Sequence, residues 1–416
     1  MMHFGIISPP IPGHINPFAA LGRELIARGH RVTFLGMVDL EQKIAAEQLD
    51  FFPIGHADHP RGSLPESLAQ LARLRGLAAL RFTIRAVART STMVCREAPA
   101  AIGRSGINAL LVDQMEPAGG AVAEHLGIPF ITVCNALAIN RDPIVPPPFT
   151  PWKYRSTRLA RVRNAAGYAI SDMLTAPIAR AVAEYRSKWK LSALRSPDES
   201  FSKLAQICQM PREFDFPRLG LPPNFHYVGP LRRPAAQSVA FPWDKLDGRP
   251  LVYASLGTLQ NRRPELFRCF ADACAGLDVQ LVVAHGGGLS DGDAAELPGS
   301  PIAVQFAPQL SVLARTRVTI THAGLNTVLD SLTNGVPMLT IPLTYEQPAI
   351  SRRVETAGAG RTLSIDAITP PRLRRTLEYL LDRPEFRNAA LRMRDAILAT
   401  GGVRQAADVI EAVIHL

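Results

Sequence analysis

The stretch Phe306–Pro348, FAPQLSVLARTRVTITHAGLNTVLDSLTNGVPMLTIPLTYEQP, decides the fold. Arg317 to Thr321 reads as a buried strand that ends in His322-Ala323-Gly324 and turns into a helix near Asn326-Thr327. A strand, a glycine-bearing turn and a helix N-terminus together make an anion site, because free backbone N–H groups and the positive dipole end point outward. A second strand, Val336 to Ile341, stops at Pro342 and is followed by Glu346-Gln347. Two adjacent strands thus deliver polar side chains to one sheet edge, where open α/β sheets hold their ligands. Two ordinary βα units with polar loops would not require His, Asn, Thr, Asp, Glu and Gln all at strand ends or first helical turns.

Moving outward, Leu251 to Ser255 is another strand, and Ser255-Leu-Gly257-Thr258 is a turn whose glycine permits close backbone approach and whose hydroxyls can meet a phosphate. Val279 to His285 ends in Gly286-Gly-Gly288, which either shapes a pocket or is simply flexible. Asp291-Gly-Asp293 has the form of a cation pair on a diphosphate but lies in a polar turn, where such pairs arise by chance. Pro230 to Asp247 has neither helical nor alternating period and reads as a linker. Helical spacing returns in Thr369–Leu381, Arg387–Ala399 and Ala406–Leu416.

The N-terminal half opens on a strand, Phe4 to Ser8, broken by Pro9-Pro-Ile-Pro-Gly-His14. A helix is expected from Pro17, with Leu21, Leu25 and Ile26 on one face and Gly29 as its stop. With Val32 to Gly36 this makes a βαβ unit of a parallel sheet. The loop lacks GxGxxG, so a dinucleotide site is unsupported there. His14 falls just past the first strand, and a second buried strand, Ile107 to Val112, ends on Asp113. A carboxylate that accepts from one imidazole nitrogen fixes the tautomer and steadies the imidazolium, which frees the other nitrogen to take a proton from a hydroxyl. Asn135, Asn140, Arg141 and Asp142 follow the strand Pro129 to Val133, either on a binding surface or as an ordinary polar loop.

The 416 residues leave room for two domains. No run of about 20 apolar residues predicts a membrane span, and the N-terminus shows no signal-peptide pattern. Five scattered cysteines give neither a disulfide framework nor a metal-ligand spacing, so cytoplasmic residence is expected. The net charge of +10 asks for an anionic partner, yet no nucleic-acid-binding motif accompanies it. Acid-free runs at Leu68–Arg96 (with Arg73, Arg75, Arg81, Arg85, Arg89 and Arg96) and Trp152–Ser171 (with Lys153, Arg155, Arg158, Arg161 and Arg163) interleave basic and apolar residues. Such runs either lie on the inner membrane surface or form solvated faces beside a core stripe.

Taken in order, Phe306-Ala-Pro-Gln309, Thr321-His-Ala-Gly-Leu-Asn326-Thr327, Asp330, Gly335-Val-Pro-Met338 and Glu346-Gln347 resemble the nucleotide-sugar signature of UDP-glycosyltransferases with the GT-B fold. The segments Cys95-Arg-Glu97, Asp113–Gly119, Asn135–Asp142 and Ala254–Gln260 resemble the branch of that family that glucosylates hydroxylated carotenoids.

The resemblance implies two Rossmann-like doubly wound domains facing across a cleft: acceptor domain 1–230, linker 231–249, UDP-sugar domain 250–400, and a helix 401–416 that crosses back to the first domain. It makes His14 and Asp113 a catalytic dyad. Phe306 should stack on uracil, where Trp is commoner, and Gln309 should bond the ribose or base. His322, Gly324, Asn326, Thr327, Ser255, Gly257 and Thr258 should surround the diphosphate, with Thr327 where Ser is common. Asp330 should take the ribose hydroxyls where Glu is usual. Glu346 and Gln347 should bind the sugar, with Glu in place of the commoner Asp.

Gly13, Met115, Glu116, Asn135 and Asn140 should face the acceptor. The Pro-rich stretch Pro143–Pro151 and the basic segment after it should frame its channel. The implied reaction is inverting and metal-independent, has UDP-glucose as co-substrate and needs no cofactor. The acceptor is a hydroxylated carotenoid or, as the alternative, a polyketide, macrolide or phenol. A non-catalytic pigment binder on the same fold would not need the dyad.

Overall fold

The computed structural model describes residues 1–74, 76–232, 239–258 and 261–414. Arg75, Gln260, residues 233–238 of the expected linker and Leu416 lie outside them. Two parallel sheets carry the chain. The first holds β1 (His3–Ile7), β2 (Arg31–Gly36), β3 (Asp50–Pro53), β4 (Ala109–Asp113), β5 (Phe130–Cys134), β6 (Gln206–Cys208) and β7 (Phe225–Tyr227), in the order β3-β2-β1-β4-β5-β6-β7. The second holds β8 (Leu251–Ser255), β9 (Gln280–Ala284), β10 (Ile302–Val304), β11 (Thr316–Thr321), β12 (Met338–Thr340) and β13 (Gly360–Thr362), in the order β10-β9-β8-β11-β12-β13. Helices cover both faces, so β1, β4, β8 and β9 are buried from end to end and read as near-continuous apolar runs.

Strand order reverses once in each sheet, between β1 and β4 and between β8 and β11. Ligands bind outside the carboxyl ends at such switch points. Ile7 pairs with Val112 at the first and Ser255 with Thr321 at the second. The residues just past these pairs are those the sequence singles out: His14, Asp113, Gly257 and His322.

The helix after β1 starts earlier than expected, spanning Pro12–Ala27. Pro12 suits the first turn because its φ is already helical and its missing N–H would be unpaired there anyway. His14 therefore sits in a first helical turn rather than in a loop. Pro17 lies inside this helix, and its absent N–H leaves the carbonyl four residues back, on Gly13, without a helical donor.

The two lobes share a buried apolar cluster in which Cys134, Leu137, Met210 and Phe214 pack with Leu325, Val328, Leu329 and Ile350. Beside it, Arg353 of the helix Gln347–Thr356 donates from Nε and Nη2 to Asp215 Oδ1 (3.1 and 2.8 Å), and lies 4.2 Å from the ring centre of Phe216. Arg218 Nε and the Tyr227 hydroxyl complete the carboxylate at Oδ2 (2.7 and 2.8 Å). Burial raises the Asp215 pKa, but the two guanidiniums outweigh it and hold the group well below the usual carboxylate range. The last helix, Gly402–Ile414, lies on the first lobe: Ala406, Ala407 and Ile410 join the core with Leu21 and Leu25, and Arg28 bonds Asp408 and Glu411 at 2.6 and 2.7 Å.

Candidate active site

Between the lobes lies a cleft of about 760 Å³, walled by both sheets' switch points. On the first lobe, His14 Nδ1 lies 2.7 Å from Asp113 Oδ2. The same oxygen accepts from Asn135 Nδ2 at 2.9 Å, and Oδ1 accepts from the Met115 N–H at 2.8 Å. Three donors orient a carboxylate that is itself shut off from solvent, while the imidazole keeps 12% of its surface on the cleft. Burial alone lowers the His14 pKa. The Asp113 charge and hydrogen bond, with Glu346 across the gap, outweigh it and raise the group above its ordinary value.

On the second lobe, Gly324 precedes the helix Leu325–Thr333, and no side chain caps that helix. Its first-turn N–H groups are therefore free for an anion. The His322 ring is wedged between two glycines: a Cβ on Gly257 would stand 2.7 Å from its Cε1, and one on Gly324 would stand 2.6 Å from its Nε2. Burial lowers the His322 pKa to about 4, so the ring is neutral at physiological pH and offers hydrogen-bonding nitrogens rather than a charge. Among the described residues its Nδ1 is buried with no hydrogen-bond partner. Ala323 (φ 66°) and Tyr345 (φ 53°) take left-handed backbone conformations in the two signature turns. Residues other than glycine pay roughly 1–2 kcal/mol for this, and such strain gathers at functional sites.

Gly13, Met115, Asn135, Ser255, Gly257, Thr258, Phe306, Gln309, His322, Gly324, Asn326, Thr327, Asp330, Glu346 and Gln347 all line the cleft with His14. Phe306 is 52% exposed, open for a flat ring to stack. Gln309 Nε2 donates to Asp330 Oδ2 at 2.6 Å. Two expected acceptor residues, Glu116 and Asn140, do not line the cleft, and two expected donor residues, Asn326 and Gln347, line it with part of their side chains already bonded. Glu116 turns inward, accepting from Ser91 Oγ (3.2 Å) and from the Ala118 N–H as the N-cap of Pro117–Leu126; burial raises its pKa to about 7. Asn140 bridges Gln114 and Gln206 at 2.8 Å each, behind the cleft wall. Asn326 spends both ends of its amide between the lobes, donating to the Gly13 carbonyl that Pro17 leaves open (2.8 Å) and accepting from Gln209 (3.1 Å). Gln347 Oε1 accepts from the Leu343 and Thr344 N–H groups, so only its amide nitrogen is left for a sugar.

Asp293 accepts from both the backbone N–H and Oγ of Ser290 in a capping box, which accounts for that half of the Asp-x-Asp pair. Sequence reasoning missed Arg232, whose Nε donates to Asp330 Oδ1 at 2.8 Å, and Tyr253, whose hydroxyl donates to Gln309 Oε1 at 3.2 Å. It also missed the cleft's apolar wall, where Leu64, Leu68 and Leu71 of the helix Ser63–Arg73 face Phe82 and Val87 of Gly76–Ser105. Period alone marked these helices as amphipathic but not which surface they serve.

The His14–Asp113 pair lies at one switch point and the uncapped helix end at the other, and the chain belongs to the UDP-glucoronosyl and UDP-glucosyl transferase family, whose model matches residues 63–396. It is 39% identical over 417 residues to the zeaxanthin glucosyltransferase of Pantoea ananas, covering 100% of this chain and 96% of that one. It is 37% identical to the zeaxanthin glucosyltransferase of Pseudescherichia vulneris, covering 100% and 98%. Among solved structures, the calicheamicin glycosyltransferase CalG4 superposes with a TM-score of 0.77 at 23% identity, covering 100% of this chain and 98% of that one. The two lobes are thus a GT-B glycosyltransferase fold.

Proposed function

We propose that the protein transfers glucose from UDP-glucose, with inversion, to a hydroxyl of a hydroxylated carotenoid of the zeaxanthin type. The observation that carries the chemistry is His14: its Nδ1 is held by buried Asp113 while the ring faces a gap closed by an uncapped helix end. The acceptor O–H gives its proton to Nε2 as its oxygen attacks the anomeric carbon. The bond from that carbon to the β-phosphate oxygen breaks on the opposite face, and the released negative charge falls on UDP. The helix N–H groups, neutral His322 and the hydroxyls of Thr327 and Thr258 meet that charge. No metal takes part in this reading, because these donors supply the stabilisation. Glu346, close enough to raise the His14 pKa, takes the sugar hydroxyls in this reading, with Gln347 beside it.

The apolar wall formed by Leu64, Leu68, Leu71, Phe82 and Val87 suits a long hydrocarbon better than a sugar-rich or charged acceptor. The two full-length zeaxanthin-transferring relatives support the same choice. The test incubates purified protein with UDP-glucose and zeaxanthin, or with flavonoid and macrolide panels, and reads product mass and anomeric configuration. A β-glucoside of zeaxanthin is expected. Products only from the polar panels would replace the acceptor assignment, and an α-linked product would overturn inversion.

A further inference from the structure

The helix Arg158–Lys188 runs for 31 residues and buries Ala160, Asn164, Gly167, Val182 and Arg186 against the first lobe. Its outward side is not polar. Leu159, Val162, Ile170 and Met173 are 84, 69, 53 and 70% exposed, and with exposed Ala166 they fall at steps of three or four residues, which places them in one stripe. Such a stripe adds nothing to the core beneath it.

Its border is basic. Lys153, Arg155, Arg158 and Arg161 are all exposed at the helix's N-terminal end. Between Pro143 and Ala183 the sequence has one acid, Asp172, and Arg141 already neutralises it. The helix Gly76–Ser105 shares a core with the far end of this one, where Met93 to Ile102 pack with Val182, Tyr185 and Trp189. It too exposes Leu77, Leu80, Arg81 and Arg85, and it contributes Phe82 and Val87 to the cleft wall.

We propose that the outward face of Arg158–Lys188 docks on an anionic phospholipid bilayer, its apolar stripe in the acyl boundary and its arginines among the headgroups. An amphipathic helix with a basic border has the composition that lies in a membrane interface. Charge decides between occupants. A second copy seated on this face would bring arginine against arginine, whereas an anionic lipid surface complements the border. The inference goes beyond the transfer reaction and does not depend on which acceptor is used.

The test is co-sedimentation of the full chain with vesicles of phosphatidylcholine containing about 30% phosphatidylglycerol, against phosphatidylcholine alone. The variants are Ile170→Asp/Met173→Asp and Arg155→Gln/Arg158→Gln/Arg161→Gln, each checked for native fold by near-UV circular dichroism. All five positions are solvent-facing and outside the cleft. Wild type should bind the anionic vesicles and be released at about 0.5 M salt. Each lost charge should weaken binding roughly fivefold, or on the order of 100-fold for the triple variant. The apolar double variant should fail to bind at any salt concentration. Absence of wild-type binding, equal binding to both vesicle types, or binding unchanged in the variants would each overturn the proposal. A wild-type dimer that the Ile170→Asp/Met173→Asp variant dissociates, seen by sedimentation velocity without vesicle binding, would instead make this face a contact between copies.

Discussion

Replacing Asp113 with Asn should disable turnover without loosening the substrates, and the hydrogen-bond geometry says why. Asp113 Oδ2 serves His14 Nδ1 and Asn135 Nδ2, and Oδ1 serves the Met115 N–H. A carboxamide offers one acceptor in place of two. If its oxygen takes the Oδ2 position, its NH₂ meets the Met115 N–H, donor against donor, at a cost of about 1–3 kcal/mol in stability. If it flips, Nδ1 of His14 must become the acceptor, and the ring proton moves to Nε2, the atom that should receive the proton of the attacking hydroxyl.

Either way the charge that steadies the imidazolium is lost. General-base assistance is worth ~10²–10⁴ in rate, so kcat should fall by that factor, about 3–5 kcal/mol on the barrier. Asp113 does not line the cleft, so KM for UDP-glucose should stay within about threefold. His14 must be neutral to act, so wild-type activity declines as pH drops through its raised pKa. With the Asp113 charge gone, burial is opposed only by Glu346, and the acid limb of kcat/KM should move to lower pH. UDP release measured across pH 5–9, about the range a histidine can report, gives both numbers. A variant within fivefold or so of wild type whose acid limb has not moved would refute the dyad.

Gly324→Ala should drive its Cβ into His322 Nε2, 2.6 Å away. It should raise KM for UDP-glucose roughly 10–100-fold, as loss of a hydrogen bond to a charged group would, and cost about 1–3 kcal/mol in stability because the wedged ring has to move. Arg232→Ala should leave Asp330 held by Gln309 alone and raise the same KM by a similar factor, read by initial rates against UDP-glucose. Asp215→Ala should leave two buried guanidiniums facing each other and cost about 3–5 kcal/mol in urea unfolding. Because the wild-type carboxyl titrates well below its unfolded value, its share of stability is complete at neutral pH and is lost progressively as pH falls below the ordinary carboxylate range, so the difference between the two proteins should narrow only in acid.

Much of this architecture is legible before any coordinates. The turn at His322–Gly324 and the pair Glu346-Gln347 are local features of βα units, and local features survive folding unchanged. Asp113 is legible for the same reason, as a charge at the end of an apolar strand. What failed depended on neighbours from elsewhere in the chain. Glu116 and Asn140 sit in polar segments like Asn135, and only their partners Ser91 and Gln206 decide that they turn inward. Arg232 follows the last strand of one lobe and serves the other, a relation no spacing encodes. The helix start at Pro12 was hidden because a run of prolines reads as loop, although a proline in a first helical turn is favourable.

Pro17 has a consequence for motion. By breaking the ladder of its own helix, it holds the Gly13 oxygen out to Asn326 on the opposing lobe, at an exposed spot where water can replace the bond when the gap widens. The joint at Asp215 has no such substitute, since parting it would strand ions in a dry interior. One end of the seam is thus closed by a bond that water can replace, and the other by buried ions that it cannot. Widening the gap would therefore break the Gly13 bond at less cost than the Asp215 pair.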